Sequence, residues 1–216
     1  QECLEYCLLK TNIVALRTRE FCRPHNGQTI LVSDLDGTLA DFATTFSSFL
    51  QTQLSSPSSA IITSTLLDAD LGIKYPDYRI LKDRWEQNGG YADLPAYADA
   101  IELVRQFQQA GAFFIVVTSR PTTIKRIWFD SYRWLQQHGI EPDQLLQLDT
   151  ERLQLLAHLA ASYPESRLFL LEDNMDLALR AATICQVFLR AQAYNRPDDR
   201  VHRVETYAQI NIKDYK

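Results

Sequence analysis

Short apolar runs alternate with longer amphipathic stretches along this chain. The runs lie at Thr29 to Val32, Phe113 to Val117, Leu145 to Leu148, Leu168 to Leu171 and Gln186 to Arg190. Runs of this length, rich in β-branched or aromatic residues, are typical of buried strands. Helical periodicity between them predicts helices over 95–110, 122–138 and 151–162, and another from Asp176. Because strands alternate with helices, the pattern predicts an α/β fold, a three-layer, doubly wound parallel sheet with right-handed crossovers.

The segment over 42–95 interrupts this alternation. Phe42, Phe46, Phe49 and Leu50 have helical spacing, a serine-rich break follows at 55–59, and a second helical piece is predicted over 60–71. No part of the segment resembles a core strand. We therefore predict a small helical cap inserted after the first strand. The predicted core comprises 1–41 and 96–216, with 1–28 as an N-terminal helical extension.

Aromatic residues are concentrated in the last third of this insert. We interpret most of them as the insert's own core. The four that could also reach a substrate are Tyr75, Tyr78, Trp85 and Tyr91.

Composition narrows the functional classes. The chain has 216 residues, of which 46% are hydrophobic, enough for a sizeable core. A net charge of −5 and a pI of about 5.4 argue against binding of a nucleic-acid polymer. No apolar stretch approaches the roughly 20 residues that span a bilayer. The chain begins at Gln1 and its one methionine is Met175, so we expect a fragment or a processed product.

The cysteines indicate neither a zinc site nor a disulfide framework. Cys3, Cys7, Cys22 and Cys185 form no Cys-x-x-Cys pair, and no histidine pair stands near them at zinc spacing. We expect free thiols in a reducing, cytoplasmic compartment.

Polar side chains follow three of the predicted strands. Asp34 and Asp36 follow the first, Thr118 and Ser119 the second, and Glu172-Asp173 the fourth. Because the carboxyl ends of parallel strands meet at one edge of a sheet, we expect these groups to face a single ligand. Considered alone, Thr118 and Ser119 are explained by a helix N-cap, and Glu172-Asp173 by a turn at the end of a strand. Taken together, they favour a catalytic site.

Asp34-Leu35-Asp36-Gly37-Thr38 resembles the first motif of the haloacid dehalogenase (HAD) superfamily. The resemblance implies that Asp34 is a nucleophile and that Asp36 is a general acid/base. Mg²⁺ would be held by Asp34, Asp173 and the backbone carbonyl of Asp36. An acid at Asp36 is similar to the phosphatases and phosphomutases of the superfamily rather than to its carbon–halogen-cleaving members.

The resemblance also implies groups that bind phosphate. Gly37, Thr118 and Ser119 would hold phosphoryl oxygens, and a cation would stabilise the transferring group. Arg152, 21 positions before Asp173, fits that cation best, and Lys125 is the second choice. Arg120 and Arg126 are further candidates for this cation.

Some stretches are similar to the 5'(3')-deoxyribonucleotidase-like group, notably 91–101, 132–135 and 187–189. Glu172 departs from that group, which tends to have paired aspartates there. We expect a Mg²⁺-dependent phosphomonoester hydrolase that forms an aspartyl-phosphate and acts on a small phosphorylated substrate such as a nucleoside 5'-monophosphate. The alternatives are a protein phosphatase of the same fold and a catalytically silent HAD domain used for binding. The sequence leaves the oligomeric state open.

Overall fold

The strands of the computed structural model lie in one parallel sheet. The structure describes residues 23–54, 67–148 and 150–215. Within these ranges the strands are β1 (Ile30–Ser33), β2 (Phe113–Thr118), β3 (Gln144–Gln147), β4 (Leu168–Glu172), β5 (Gln186–Arg190) and β6 (His202–Val204). Their order is β3-β2-β1-β4-β5-β6, and every neighbouring pair is parallel. The predicted α/β class and doubly wound sheet are confirmed.

Helices cover both faces of the sheet. They are α1 (Phe42–Leu54), α2 (Leu67–Asp70), α3 (Tyr75–Gln87), α4 (Ala98–Gln109), α5 (Lys125–Gln137), α6 (Arg152–Ser162) and α7 (Met175–Ala181). Short 3₁₀ helices lie at Gly90–Asp93, Tyr207–Gln209 and Ile212–Tyr215. None of these described helices is long and apolar enough to cross a membrane.

Successive side chains of each strand point to opposite faces, so two cores form. Leu31 of β1 packs in a core with residues of α1, α3, α4 and α5. Ile30 and Val32 pack in a second core with residues of α6 and α7. The sheet is therefore the middle of three layers.

The element bounds differ from the predicted ones in places. Helices α4 and α5 begin at Ala98 and Lys125, each a few residues after the proline that precedes it. Strand β6 was not predicted. Its sequence is His-Arg-Val and Val204 is its buried residue, so it lacks an apolar run.

Several predictions lie wholly or partly outside the described residues. Residues 1–22 of the predicted N-terminal helical extension lie outside them, and these include Cys3, Cys7 and Cys22. Of the predicted helix over 60–71, the structure describes α2 and Leu71.

Aromatic rings of the insert pack on one another. Trp85 and Tyr91 are buried and meet edge to face, with ring centroids 4.8 Å apart. Phe42 stacks on Phe46 at 5.3 Å, and Phe46 lies 5.1 Å from Trp85. Phe46, Trp85 and Tyr91 belong to the same buried core as Leu31 of β1, so these rings are part of the core on one face of the sheet rather than a separate core of the insert.

A tight turn follows β1 at the centre of the sheet. The backbone N–H of Asp34 still donates to Leu171 O of β4, at 3.0 Å. Gly37 then adopts a left-handed φ of +83°, and its N–H donates to Ala40 O at 2.8 Å. Most residues pay a steric cost in this conformation, which glycine avoids. The turn leaves Asp34 and Asp36 at the carboxyl edge of the sheet.

Candidate functional site

Three buried acids converge where β1 and β4 end. Ser33 pairs with Leu171, so the residues that follow, Asp34 and Glu172, lie side by side. Asp34, Glu172 and Asp173 are all buried, and each offers a carboxylate oxygen within 4.8 Å of the others. A cluster of this kind suits a hard cation, which prefers oxygen ligands.

The electrostatics of this cluster favour a bound cation. Burial raises the pKa of Asp34; the charge of Arg152 lowers it, and the charges of Glu172 and Asp36 raise it further. Burial also raises the pKa of Asp173, and the charges of Glu172 and Asp34 add to the shift. A positive ion would offset the repulsion among these carboxylates.

The backbone around Asp173 is shaped to leave its carboxylate room. A Cβ at Gly37 would overlap Asp173 Oδ2 and crowd the Tyr194 hydroxyl. Thr38 Oγ1 donates to Asp173 Oδ1 at 3.3 Å, and Tyr194 OH donates to Asp173 Oδ2. Burial, followed by the charge of Asp173, raises the pKa of Tyr194 well above its usual range, so the tyrosine keeps its proton for this bond. The donor set therefore fits the Mg²⁺ that the resemblance implies.

Arg152 contacts two of the three acids. Its Nη2 lies 2.6 Å from Asp34 Oδ1, and its Nη1 lies 3.2 Å from Glu172 Oε2. Burial alone would lower the pKa of Arg152, but the charges of Asp34, Glu172 and Asp173 outweigh that effect and raise it. The buried Nε of Arg152 has no hydrogen-bond partner among the described residues.

Glu172 holds Arg152 in place. Its Oε1 accepts the backbone N–H groups of Asp173 and Asn174, each at 3.0 Å. Its Oε2 is the atom that faces Arg152. Glu172 thus connects the turn after β4 to the guanidinium beside Asp34.

Asp36 is paired with a different arginine. Arg120 Nε donates to Asp36 Oδ2 at 2.8 Å and Nη2 donates to Oδ1 at 2.6 Å, a bidentate ion pair. The Arg120 side chain is 0% exposed and that of Asp36 is 22% exposed. Such paired bonds fix the orientation of the carboxylate as well as its position.

An open cleft of about 430 Å³ lies at this edge of the sheet. Five predicted site residues line it, namely Asp34, Asp36, Ser119, Arg152 and Asp173. The other lining residues are Thr150, Leu153, Glu172, Asn174, Asp176, Leu177 and Arg180. None of these lining residues is aromatic.

The remaining predicted residues lie elsewhere. Thr118 is buried as the last residue of β2, and its hydroxyl accepts the backbone N–H of Arg120 at 3.3 Å. Gly37 forms the turn beside Asp173. Lys125 is exposed at the start of α5 and does not line the cleft. Arg126 pairs with Asp130 at 3.2 Å.

The sequence pointed to some residues of this site without giving their contacts. Glu172 was placed in the acidic strand-end pair, but its bond to Arg152 was not predicted. Arg120 was a candidate for the phosphate-binding cation, whereas the structure pairs it with Asp36. Thr38 stood in the first motif without a role, and a single tyrosine such as Tyr194 in a loop gives no signal of its bond to Asp173.

The fold matches solved structures at low sequence identity. A HAD family hydrolase from Deinococcus radiodurans, described with bound phosphate and sodium, is 16% identical with a TM-score of 0.58, covering 88% of this chain and 96% of that one. A predicted phosphoglycolate phosphatase from Haemophilus somnus is 14% identical with a TM-score of 0.55, covering 89% and 100%. Protein Tyrosine Kinase A of Mycobacterium tuberculosis is 21% identical with a TM-score of 0.55, covering 81% and 88%.

Comparisons based on sequence find no match. No family model matches the chain, and no curated protein does either. The chain thus has the fold of HAD-like hydrolases.

Proposed function

We propose that this protein is a Mg²⁺-dependent phosphomonoester hydrolase that works through an aspartyl-phosphate at Asp34. The proposal depends above all on one observation. A buried aspartate at the tip of the central strand shares a metal-sized acidic cluster with Asp173 and contacts a buried arginine, at the wall of an open cleft.

Asp34 is the nucleophile in this proposal. One of its carboxylate oxygens attacks phosphorus, and the bond between phosphorus and the ester oxygen breaks. Covalent catalysis of this kind divides one difficult step into two easier ones. Asp34, Asp173 and the backbone carbonyl of Asp36 would hold Mg²⁺, whose charge would offset the repulsion between carboxylate and phosphate.

Asp36 is the proposed acid and base. It gives a proton to the departing ester oxygen in the first step. In the second step it takes a proton from the water that attacks phosphorus, which releases phosphate and regenerates Asp34. Asp36 lines the cleft, where a leaving group and a water molecule can both reach it.

Arg152 is the proposed phosphate-binding cation, with Ser119 as a neighbouring donor. Arg152 pairs with Asp34 in the structure. We propose that it donates to phosphoryl oxygens when substrate binds, while Glu172 keeps it in place. Its planar fork suits phosphate geometry. Thr118 and Gly37 are proposed to shape the backbone around the phosphoryl group.

A small phosphate ester is the proposed substrate, and a nucleoside 5'-monophosphate is the first to test. The similar sequence stretches support a nucleotide. The cleft lining supports it less, because none of the described residues that line the cleft has an aromatic ring on which a base could stack. Of the neighbours, the Deinococcus protein binds phosphate and the Haemophilus protein is described as a phosphatase.

The first experiment measures turnover of p-nitrophenyl phosphate with Mg²⁺ and with EDTA. We expect EDTA to abolish turnover, Mg²⁺ to restore it, and Asp34→Asn to lower kcat by about 10⁴-fold or more. Acid quenching with ³²P-labelled substrate should leave label on the wild-type protein and none on Asp34→Asn. Asp198→Asn, which changes a surface pair with Arg200, is the matched control. Turnover that persists in Asp34→Asn would reject the nucleophile.

The rival functions give different results in the same assay. A protein phosphatase of this fold would prefer phosphopeptides to nucleotides and sugar phosphates in a substrate panel. A binding domain would turn over none of them and still bind inorganic phosphate. The Mycobacterium neighbour, described as a kinase, shows why the panel needs product analysis. Free phosphate must appear in step with the alcohol for hydrolysis to be the reaction.

A further inference from the structure

Arg120 is buried more completely than an arginine usually is. Its side chain is 0% exposed, and all three guanidinium nitrogens donate. Nε and Nη2 bind the two oxygens of Asp36, and Nη1 donates to Ser131 Oγ at 2.9 Å. Burial of a charge without a partner is costly, so Arg120 and Asp36 depend on each other for their positions.

The surroundings of Arg120 fix it from two further elements. Ser131 lies on α5, and its own hydroxyl donates to Ile127 O at 2.7 Å. The guanidinium carbon of Arg120 lies 4.2 Å from the ring centroid of Tyr91, a distance suited to a cation–π contact. Tyr91 in turn donates to Glu86 Oε1 of α3 at 3.1 Å. The arginine therefore connects Asp36 to the aromatic core of the insert.

The pairing leaves Asp36 able to act in the cleft. A carboxylate offers about four lone-pair sites, and the fork of Arg120 occupies two of them. The Asp36 side chain stays 22% exposed and lines the cleft. The bidentate bond thus selects which edge of the carboxyl group faces a ligand.

We propose that Arg120 is a positioning residue that aims Asp36 at the leaving group. This inference rests on the proposed function, in which Asp36 protonates the departing oxygen. Arg120 is not among the described residues that line the cleft or form the acidic cluster, so it acts through the orientation of Asp36. Ser131 and the Tyr91 ring keep the guanidinium from rotating.

The choice of leaving group separates this role from a merely structural one. p-Nitrophenolate departs readily without a proton, whereas the alkoxide of benzyl alcohol requires one. p-Nitrophenyl phosphate and benzyl phosphate have similar sizes and differ chiefly in this requirement. Because kcat/KM reports the steps up to loss of the leaving group, the ratio of the two kcat/KM values measures protonation by Asp36.

We expect Arg120→Met to lower kcat/KM for benzyl phosphate about 10²-fold more than for p-nitrophenyl phosphate. Asp36→Asn removes the group that protonates the leaving oxygen and therefore shows the effect of losing protonation completely. It too should lower kcat/KM more for benzyl phosphate than for p-nitrophenyl phosphate. Arg105→Met is the matched control. This half-exposed arginine of α4 pairs with Glu102 and donates to His138 O, so the ratio should stay unchanged.

Two further variants keep the test decisive. If Arg120→Met does not fold, Arg120→Lys retains the buried charge but cannot bind both oxygens as a fork, and it should keep a bias of about 10-fold. Tyr91→Phe retains the ring beneath Arg120 and should leave the ratio unchanged. An equal loss on both substrates in the Arg120 variants, with a clear bias in Asp36→Asn, would overturn the inference. A wild-type protein that hydrolyses neither ester would instead reject the proposed function.

Discussion

Two aspartates at the end of β1 are each paired with a different arginine, and the two pairs differ in kind. Arg152 divides its contacts between Asp34 and Glu172, lines the cleft, and has one buried nitrogen without a partner among the described residues. Arg120 donates from two of its nitrogens to Asp36 and from the third to Ser131, and it does not line the cleft. Donors that face the cleft can bind a ligand, whereas donors that are all used within the fold can only orient a neighbour.

A third pair shows what a purely structural contact looks like here. Asp99 of α4 accepts Arg190 Nη1 at 3.0 Å, Thr206 Oγ1 at 2.7 Å and the Tyr207 N–H at 2.7 Å. Arg190 lies 3.7 Å from the Tyr97 ring centroid. Neither member lines the cleft. This pair connects α4 to the C-terminal segment and serves as the reference for the other two.

Arg152 should give the largest effect among the cations. Arg152→Ala is expected to lower kcat about 10²–10³-fold, because an electrostatic contact to the transferring group is lost. Arg152→Lys should recover part of the lost kcat, since lysine keeps the positive charge but cannot donate two parallel hydrogen bonds as the guanidinium does. Lys125 lies at the exposed start of α5, and substitutions at exposed positions usually have small effects. Lys125→Ala should therefore change kcat less than about twofold. Equal and minor effects of both alanine variants would reject Arg152 as the phosphate-binding cation.

Gly37→Ala should come next, because it disturbs the acidic cluster without removing a charge. A Cβ there overlaps Asp173 Oδ2, so we expect weaker Mg²⁺ activation and a kcat lower by about tenfold or more. Gly27→Ala is a matched control. Gly27 has a similar φ of +80°, and no atom of the described residues lies within 4 Å of where its Cβ would be, so Gly27→Ala introduces the backbone strain without the crowding. Mg²⁺ titration of both variants separates crowding from strain, and identical titration curves would contradict this account.

Asp99→Asn should affect stability rather than turnover. Burial alone would raise the pKa of Asp99, but hydrogen bonds from Arg190, Thr206 and Tyr207 outweigh it and lower the pKa. A carboxyl whose pKa is lowered on folding stabilises the protein above its unfolded pKa of about 3.9 and loses that contribution as pH falls through the folded value. We expect Asp99→Asn to cost about 2 kcal/mol of unfolding free energy at pH 7.

Urea unfolding from pH 7 to pH 3 measures this effect. The gap between wild type and Asp99→Asn should narrow as pH falls below about 4. Asp83→Asn changes the exposed Arg79–Asp83 pair and should cost about 0.5 kcal/mol or less. A gap that is constant with pH would mean that the charge of Asp99 is not what stabilises the contact.

Much of the fold was readable because buried parallel strands are continuous apolar runs. The predicted run for β5 has the observed bounds, those for β2 and β4 end one residue early, and those for β1 and β3 are displaced by one residue. Strand β6 was missed because its pairing with β5, rather than its own apolar residues, makes it a strand. Helix α5 starts later than predicted, since periodicity does not locate a first turn that follows Pro121.

The site was readable in part for a similar reason. Asp34, Thr118 and Asp173 follow apolar runs, so their place at one edge follows from parallel pairing. The Arg120–Asp36 pair joins residues 84 positions apart and depends on how α5 packs, which no local pattern encodes. The failure of the insert's aromatics to line the cleft also needed the structure. Their spacing fits a helix core and a ligand pocket equally well.

The central position of β1 has a consequence for how the chain must fold. Its partners β2 and β4 come much later in the sequence, and Thr38 meets Asp173 across 135 positions. During synthesis from the N-terminus, the strand that carries Asp34 has no partner until β2 has emerged, and its other edge stays unpaired until β4 follows. Contacts of such long separation are slow to form because loop closure must precede them. A truncated chain that ends before Leu168 would keep Asp34 and lack Asp173, so the acidic cluster can form only after β4 has been synthesised.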